Sequence, residues 1–106
     1  MRGRVPDNAD TRLFLSKFLR AVDEANLPGH GATLLLHISA QPGGRTGYAD
    51  AARACDLNEG QMERAVAALR AKHLIVVVKD DDDTRRKRLA ITRDGERVVG
   101  QLITLE

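Results

Sequence analysis

The sequence predicts a mainly α-helical chain of the α+β class, in which helices surround one β-hairpin. Three observations predict this class. Apolar residues recur at the three- and four-residue spacing of amphipathic helices along much of the chain. The run LIVVV, residues 74–78, is β-branched and typical of a strand. A second run, RKRLAIT at residues 86–92, lies at the right distance to pair back against it.

Length and composition are those of one globular domain. The chain has 106 residues, of which 42% are hydrophobic and 30% are charged. This length supports a single core, and we expect one domain over residues 1–106. The formal net charge is +2 and the sequence pI is about 9.0, a balance that neither requires nor excludes a nucleic-acid partner.

Cysteine usage and the N-terminus indicate a cytoplasmic protein. The lone Cys55 excludes an intrachain disulfide and suits a reducing compartment. The first ten residues, MRGRVPDNAD, lack the apolar run of a signal peptide, and no stretch is long and apolar enough to span a bilayer. We expect residues 1–9 to form a flexible arm.

The residues that would build an enzyme site are scarce. His30, His37 and His73 are scattered, and no metal-ligand spacing appears. The run QPGGRTG lacks the ending of a phosphate-binding loop. With no Trp, two Phe and one Tyr, the chain also lacks a stacking platform for single-stranded nucleic acid. We therefore expect no catalysis, no cofactor and no metal.

Helical spacing of Phe14, Phe18 and Val22 predicts the first helix. Asn8 or Asp10 can cap its start, because short polar side chains accept hydrogen bonds from the first turn. The sequence NLPG that follows predicts its end.

A second helix and a helix-turn-helix follow. Residues 31–41, GATLLLHISAQ, form an apolar helix closed by PGG. Residues 48–55 form a short alanine-rich helix, and the break DLN leads to a longer one with Met62, Val66 and Leu69 on one face. Two such helices joined by a tight turn form a helix-turn-helix.

The remaining elements are a hairpin and a final helix. Leu89 and Ile91 should face one side of the returning strand, with Arg86 and Arg88 on the other. The four aspartates of KDDDDT fall in the connecting turn, and they lack the spacing of a calcium loop. Thr92 is the expected N-cap of the final helix. This order predicts a winged helix-turn-helix with a two-stranded β-hairpin wing and flanking N- and C-terminal helices.

Two motifs within residues 27–95 carry a family resemblance: the helix-turn-helix segment ADAARACDLNEGQMERAVAALRAKHLI, and the wing segment DTRRKRLAIT followed by RDG. In both, the chain resembles the MarR family of bacterial winged-helix transcription regulators. The family has Gly where His73 stands, because that residue takes a positive φ. The long paired C-terminal helices of the family are reduced here to one short helix. The positions that match the wing signature are Asp83, Arg85, Ile91, Thr92 and Gly95.

The resemblance implies DNA contacts from two places, the long helix in the major groove and the wing. Gln can pair with adenine, Arg with guanine and Glu with the cytosine amino group. Arg85 holds the signature position for entering the minor groove, with its basic neighbours on phosphates. The alternatives are a solvated helix face and a charged edge that protects the hairpin from aggregation. The predicted DNA-binding residues are Arg45, Asn58, Glu59, Gln61, Arg64, Ala68, Arg85, Arg86, Lys87 and Arg88.

The terminal helices predict a homodimer. Their apolar stripes are wider than helices packed on one side of a small domain need, and the resemblance also implies pairing of these helices between subunits. The alternative is that the two helices cover one another within the monomer. The predicted interface residues are Leu13, Phe14, Leu15, Phe18, Leu19, Val99, Leu102, Ile103 and Leu105.

These patterns together predict a homodimeric, sequence-specific regulator that binds double-stranded DNA, most simply a repressor. The second hypothesis is a winged helix used as a protein-interaction module, supported by the acidic wing turn and the near-neutral total charge. A small-molecule effector is compatible with the resemblance, but no residue supports one. Cys55 raises the hypothesis of a redox switch. Its apolar position in the helix-turn-helix favours a buried, inert thiol instead.

Overall fold

The structure, a computed structural model, describes residues 8–27, 29–79 and 86–103. The first helix, α1 (Ala9–Ala25), begins at Asn8, whose side-chain oxygen accepts a hydrogen bond from the Thr11 amide at 2.9 Å. It ends at Asn26, which adopts left-handed geometry with φ 53°. Of the predicted arm of residues 1–9, Ala9 thus lies in the helix and Asn8 is its N-cap. The rest of that arm lies outside the described residues.

The second helix leads into a strand that the sequence pattern did not predict. Helix α2 (Gly31–Ala40) is followed by a tight turn, Pro42–Gly44, and by the short strand β1 (Arg45–Gly47). Both Gly43 and Gly44 have positive φ values, which glycine adopts without steric cost. The turn thereby reverses the chain and sets β1 beside the hairpin.

The helix-turn-helix and the hairpin follow as predicted. Helices α3 (Tyr48–Ala54) and α4 (Glu59–Ala71) precede the strands β2 (Ile75–Lys79) and β3 (Lys87–Ile91). Strand β3 pairs antiparallel with both β1 and β2, so that the sheet has three strands in the order β1-β3-β2. The predicted two-stranded wing is thus extended at its base by β1. The aspartate turn and Arg85 lie outside the described residues.

The core lies between α2, α4 and one face of the sheet. Full burial of one Leu, Ile or Met side chain stabilises the fold by about 1.5 to 3 kcal/mol relative to leaving it exposed. Leu89 is fully buried whereas its neighbour Arg88 is exposed, which confirms the predicted alternation along β3. The large side chains that are fully buried are Leu34, Leu35, Ile38, Met62, Leu69, Leu89 and Leu102.

The terminal helices contact one another within the chain. The last described helix, α5 (Arg93–Ile103), packs against α1 and α2. Leu102, one of the predicted interface residues, is only 1% exposed and is therefore buried within the monomer. Phe18 and Val99 are half-buried, and Val99 packs against the core. Leu105 lies outside the described residues.

Much of the apolar surface of α1 nevertheless remains uncovered. No α1 side chain is buried. Phe14 and Phe18 stack with their ring centroids 6.2 Å apart. The exposed large apolar residues on α1 and α5 are Leu13, Phe14, Leu15, Leu19 and Ile103. Within the described ranges, no helix has the length and apolar character needed to cross a membrane.

Candidate nucleic-acid interface

Helix α4 separates an apolar face from a polar one. Met62 and Leu69 are fully buried and Val66 is nearly so, as their spacing predicted. Arg64 projects from the opposite, exposed side, and Ala68 is half-buried. The helix is therefore held by the core on one side and presents the other to solvent.

A capping box fixes the start of α4. The Asn58 side chain accepts a hydrogen bond from the Gln61 amide at 2.8 Å, and the Gln61 side-chain oxygen accepts one from the Asn58 amide at 3.0 Å. Each partner satisfies an otherwise orphaned N–H group of the first turn. Because an amide oxygen can accept two hydrogen bonds, this cap does not exclude the adenine contact predicted for Gln61, which stays a prediction.

The predicted basic residues divide between two faces of the sheet. Arg45 lies opposite Ala90 across β1 and β3, and Gly47 lies opposite Arg88. Because residues two apart on a strand share a face, Arg45 and Arg88 lie on the same side of the sheet. Lys87 alternates to the other side. Arg86, Lys87 and Arg88 are all exposed.

A groove of about 610 Å³ lies between the start of α3, the N-terminal half of α4 and strand β3. Its lining carries two sets of charge. The acidic residues are Asp50, Glu59 and Glu63, and the basic residues are Arg86, Lys87 and Arg88. The structure thus brings Glu59 of the predicted set beside the three basic residues at the base of the wing.

Tyr48 lines this groove and interacts with charged side chains of its lining. The Lys87 ammonium nitrogen lies 5.8 Å from the centroid of the Tyr48 ring, within reach of a cation–π interaction. Burial raises the pKa of the Tyr48 hydroxyl, and the negative charges of Glu63 and Glu59 raise it further. The Tyr48 phenol is therefore neutral at physiological pH. The charges of Glu59 and Glu63 both reach it, so the two carboxylates lie near the same part of the groove.

Sequence reasoning missed Tyr48, Asp50 and Glu63 as groove residues. Glu63 could have been found, because it follows Glu59 by four residues and so lies one turn further along the same helix face. Tyr48 and Asp50 could not, since their position depends on how α3 packs against β3.

Solved structures share this arrangement of helices and wing. The DNA complex of MepR from S. aureus matches with a TM-score of 0.74 at 21% identity, over 86% of this chain and 73% of that one. Sco3205, a MarR family transcriptional regulator from Streptomyces coelicolor in complex with DNA, matches with a TM-score of 0.72 at 20% identity, over 86% of this chain and 60% of that one. AbsC, another MarR family regulator from Streptomyces coelicolor, matches with a TM-score of 0.72 at 14% identity, over 94% and 74%. The chain has the MarR-type winged-helix fold. No protein-family model and no curated protein sequence matches it.

In this MarR-type fold, a hydrogen-bonded junction sets the end of α4 against the start of α5. The Thr92 hydroxyl donates to the His73 carbonyl at 2.7 Å and accepts from the Gly95 amide at 3.0 Å. The Thr92 amide donates to the Leu74 carbonyl at 3.0 Å. His73 has φ 59°, the left-handed geometry that explains glycine at this position in the MarR pattern.

The remaining reactive residues of the MarR-type domain do not gather into a site. Within residues 8–27, 29–79 and 86–103, no three His, Cys, Asp or Glu side chains are placed to hold a metal ion. Cys55 is half-buried at the end of α3, and burial raises the pKa of its thiol. A raised pKa leaves less thiolate at neutral pH, so this environment does not activate the sulfur.

Proposed function

We propose that the chain binds double-stranded DNA at preferred sequences and regulates transcription. One observation carries this proposal: the exposed face of α4 and the basic strand β3 flank one groove, in the fold that MepR and Sco3205 display in complexes with DNA. A helix of this width fits the major groove, and a basic hairpin beside it can follow the adjacent backbone. A cytoplasmic location follows from this role.

The proposed contacts divide by chemistry. Arg64 is exposed on α4 and suits a bidentate contact with the O6 and N7 of guanine. Glu59 suits the cytosine amino group, because an ionised carboxylate only accepts hydrogen bonds. Lys87 and Arg88 suit phosphates, whose contacts fix the position of the protein without reading sequence. Arg85 keeps its predicted role in the minor groove as part of this proposal.

A homodimer completes the proposed function. A single winged helix contacts few base pairs, and two copies related by a two-fold axis double the site. Leu15 and Leu19 of α1 and Ile103 of α5 supply exposed apolar surface for this pairing. Two α4 helices would then contact half-sites about 34 Å apart and exclude polymerase by occupancy, which is repression.

Two alanine variants test the division of roles. For Arg64→Ala, we expect relaxed sequence preference, with a loss of about 1 to 3 kcal/mol at one base position. For Lys87→Ala, we expect weaker binding to every sequence and a salt dependence reduced by about one phosphate contact. Fluorescence anisotropy at several salt concentrations, with preferred and random duplexes, measures both. Identical losses for both variants on both duplexes would contradict the assignment.

A second function, a protein-interaction module, is favoured by one separate observation. Val76 and Val78 are 47% and 49% exposed on β2, which is an edge strand of the sheet. Apolar side chains beside unpaired backbone groups can accept a strand from another protein. Hydrogen exchange with a bound partner would show protection centred on β2 if this function holds, and protection of α4 by duplex DNA if the regulator holds.

A further inference from the structure

Glu63 stands on the wall of the groove that faces the basic strand. It lies one helical turn after Glu59, and both line the groove with Lys87. Glu59 occupies the first turn of α4, where a carboxylate also stabilises the helix dipole. Glu63 lies beyond that turn, takes no part in the capping box and is exposed. Its charge therefore has no role in the start of the helix.

Among the residues that the structure describes, the lining of the groove is balanced in charge, whereas protein surfaces that bind DNA are much more positive. Three carboxylates and three basic side chains make up this described lining. DNA bound without regard to sequence is held almost entirely by its phosphates, and its affinity follows the positive charge the protein presents. A carboxylate on the wall of α4 repels any phosphate that approaches that wall, so it weakens this mode of binding.

The same carboxylate has a narrow preference among base edges. An ionised Glu accepts hydrogen bonds and donates none. In the major groove, the donors are the amino groups of cytosine and adenine, whereas guanine presents two acceptors. A duplex that places an amino group against Glu63 forms a hydrogen bond, and one that places guanine or a phosphate there leaves the charge desolvated and unpaired.

We propose that Glu63 is a specificity-determining residue, which favours a base that presents an amino group in the major groove, cytosine above all, and disfavours both guanine and non-specific backbone contact at the wall of α4. This inference rests on the proposed DNA-binding function. It concerns a residue outside the predicted contact set, and it adds an acidic side chain to those proposed to contact base edges.

The test compares Glu63→Gln with Glu96→Gln, a matched control that removes the same charge from an exposed position on α5 outside the groove. A site is first selected from random duplexes with the wild-type protein. Affinities of all three proteins are then measured for that site and for random duplex at about 100 mM salt. Thermal unfolding confirms that each variant is folded.

For Glu63→Gln, we expect affinity for random duplex to rise roughly fivefold, the effect of about 1 kcal/mol of Coulomb repulsion removed. Affinity for the selected site should fall about twofold, so that the ratio between the two drops about tenfold. Glu96→Gln should match the wild type. If the wild type selects a site and Glu63→Gln behaves as Glu96→Gln does, the inference is wrong and the proposed function stands. If the wild type selects no site, both are overturned.

Discussion

At the scale of single residues, the junction between α4 and α5 depends on one glycine. A Cβ atom added to Gly95 would overlap the Leu74 carbonyl oxygen and stand 2.6 Å from the Ile91 side chain. Because the Leu74 carbonyl is backbone that Thr92 also holds, it cannot move aside without breaking the junction. Gly95 is therefore required by close packing and not by its φ angle.

Replacing Gly95 with alanine should therefore lower the free energy of unfolding by about 1 to 3 kcal/mol, as overpacking does. The control is Gly100→Ala on the same helix, where an added Cβ atom meets nothing within 4 Å. That change should raise the free energy of unfolding by up to about 1 kcal/mol, since alanine favours helix. Urea unfolding of both variants gives the comparison. Equal effects of the same sign would contradict the packing argument.

Cys55 provides a second test at this scale. Burial raises the pKa of its thiol, so the thiolate fraction at neutral pH is below that of an ordinary cysteine. We expect iodoacetamide to alkylate the folded protein several-fold more slowly at pH 7.5 than it alkylates a free cysteine peptide, with the rate rising as pH increases. Mass spectrometry follows the reaction. Alkylation as fast as in the peptide would revive the redox-switch hypothesis.

At the scale of elements, the capping box of Asn58 and Gln61 fixes the start of α4 beside the groove. Asn58→Ala removes the side-chain oxygen that accepts from the Gln61 amide. This change should lower the free energy of unfolding by about 1 kcal/mol and the melting temperature by about 5 °C. Asn58→Ser keeps an N-cap oxygen and should cost much less. Differential scanning calorimetry measures the melting temperatures of the two variants. An alanine variant as stable as the serine variant would mean that the cap contributes nothing.

The helices and the hairpin were predictable because their signals are local. Met62, Val66 and Leu69 repeat at helical spacing, and their burial follows from that spacing alone. Strand β1 was not predictable, because its three residues are too short to show alternation and it forms only where β3 offers a free edge. The groove is likewise a product of packing between elements distant in sequence.

The residues proposed to bind DNA were predictable only in part. Basic residues on β3 and the exposed side of α4 follow from sequence pattern and family resemblance. The engagement of Gln61 in the cap could not be separated from a base contact, since both need a polar residue in the first turn. The burial of Leu102 within the monomer was also missed, because a stripe of apolar residues does not reveal which members face inward.

At the scale of the whole molecule, one side of α1 exposes large apolar side chains to solvent. Leu13 and Leu19 are 59% and 60% exposed, and the stacked pair Phe14 and Phe18 lies on the same helix. Apolar area of this extent on a helix without a buried residue favours a second copy of the chain as its cover.

Sedimentation at micromolar concentration tests this pairing. We expect the wild type to be a dimer and Leu19→Asp to be a monomer, because the new carboxylate would be desolvated in the interface. Thr33→Asp adds the same charge at an exposed position of α2 and should remain dimeric. A monomeric wild type, or a dimer that Leu19→Asp leaves intact, would show that α1 does not form the interface.

A selection experiment shows whether this MarR-type fold recognises particular DNA sequences. Random duplexes are enriched on the wild-type protein at about 150 mM salt and then competed against bulk DNA. We expect a two-fold symmetric site, with half-sites about ten base pairs apart, bound at least about a thousandfold more tightly than bulk DNA. Enrichment of no common sequence, with all duplexes bound equally or not at all, would contradict it.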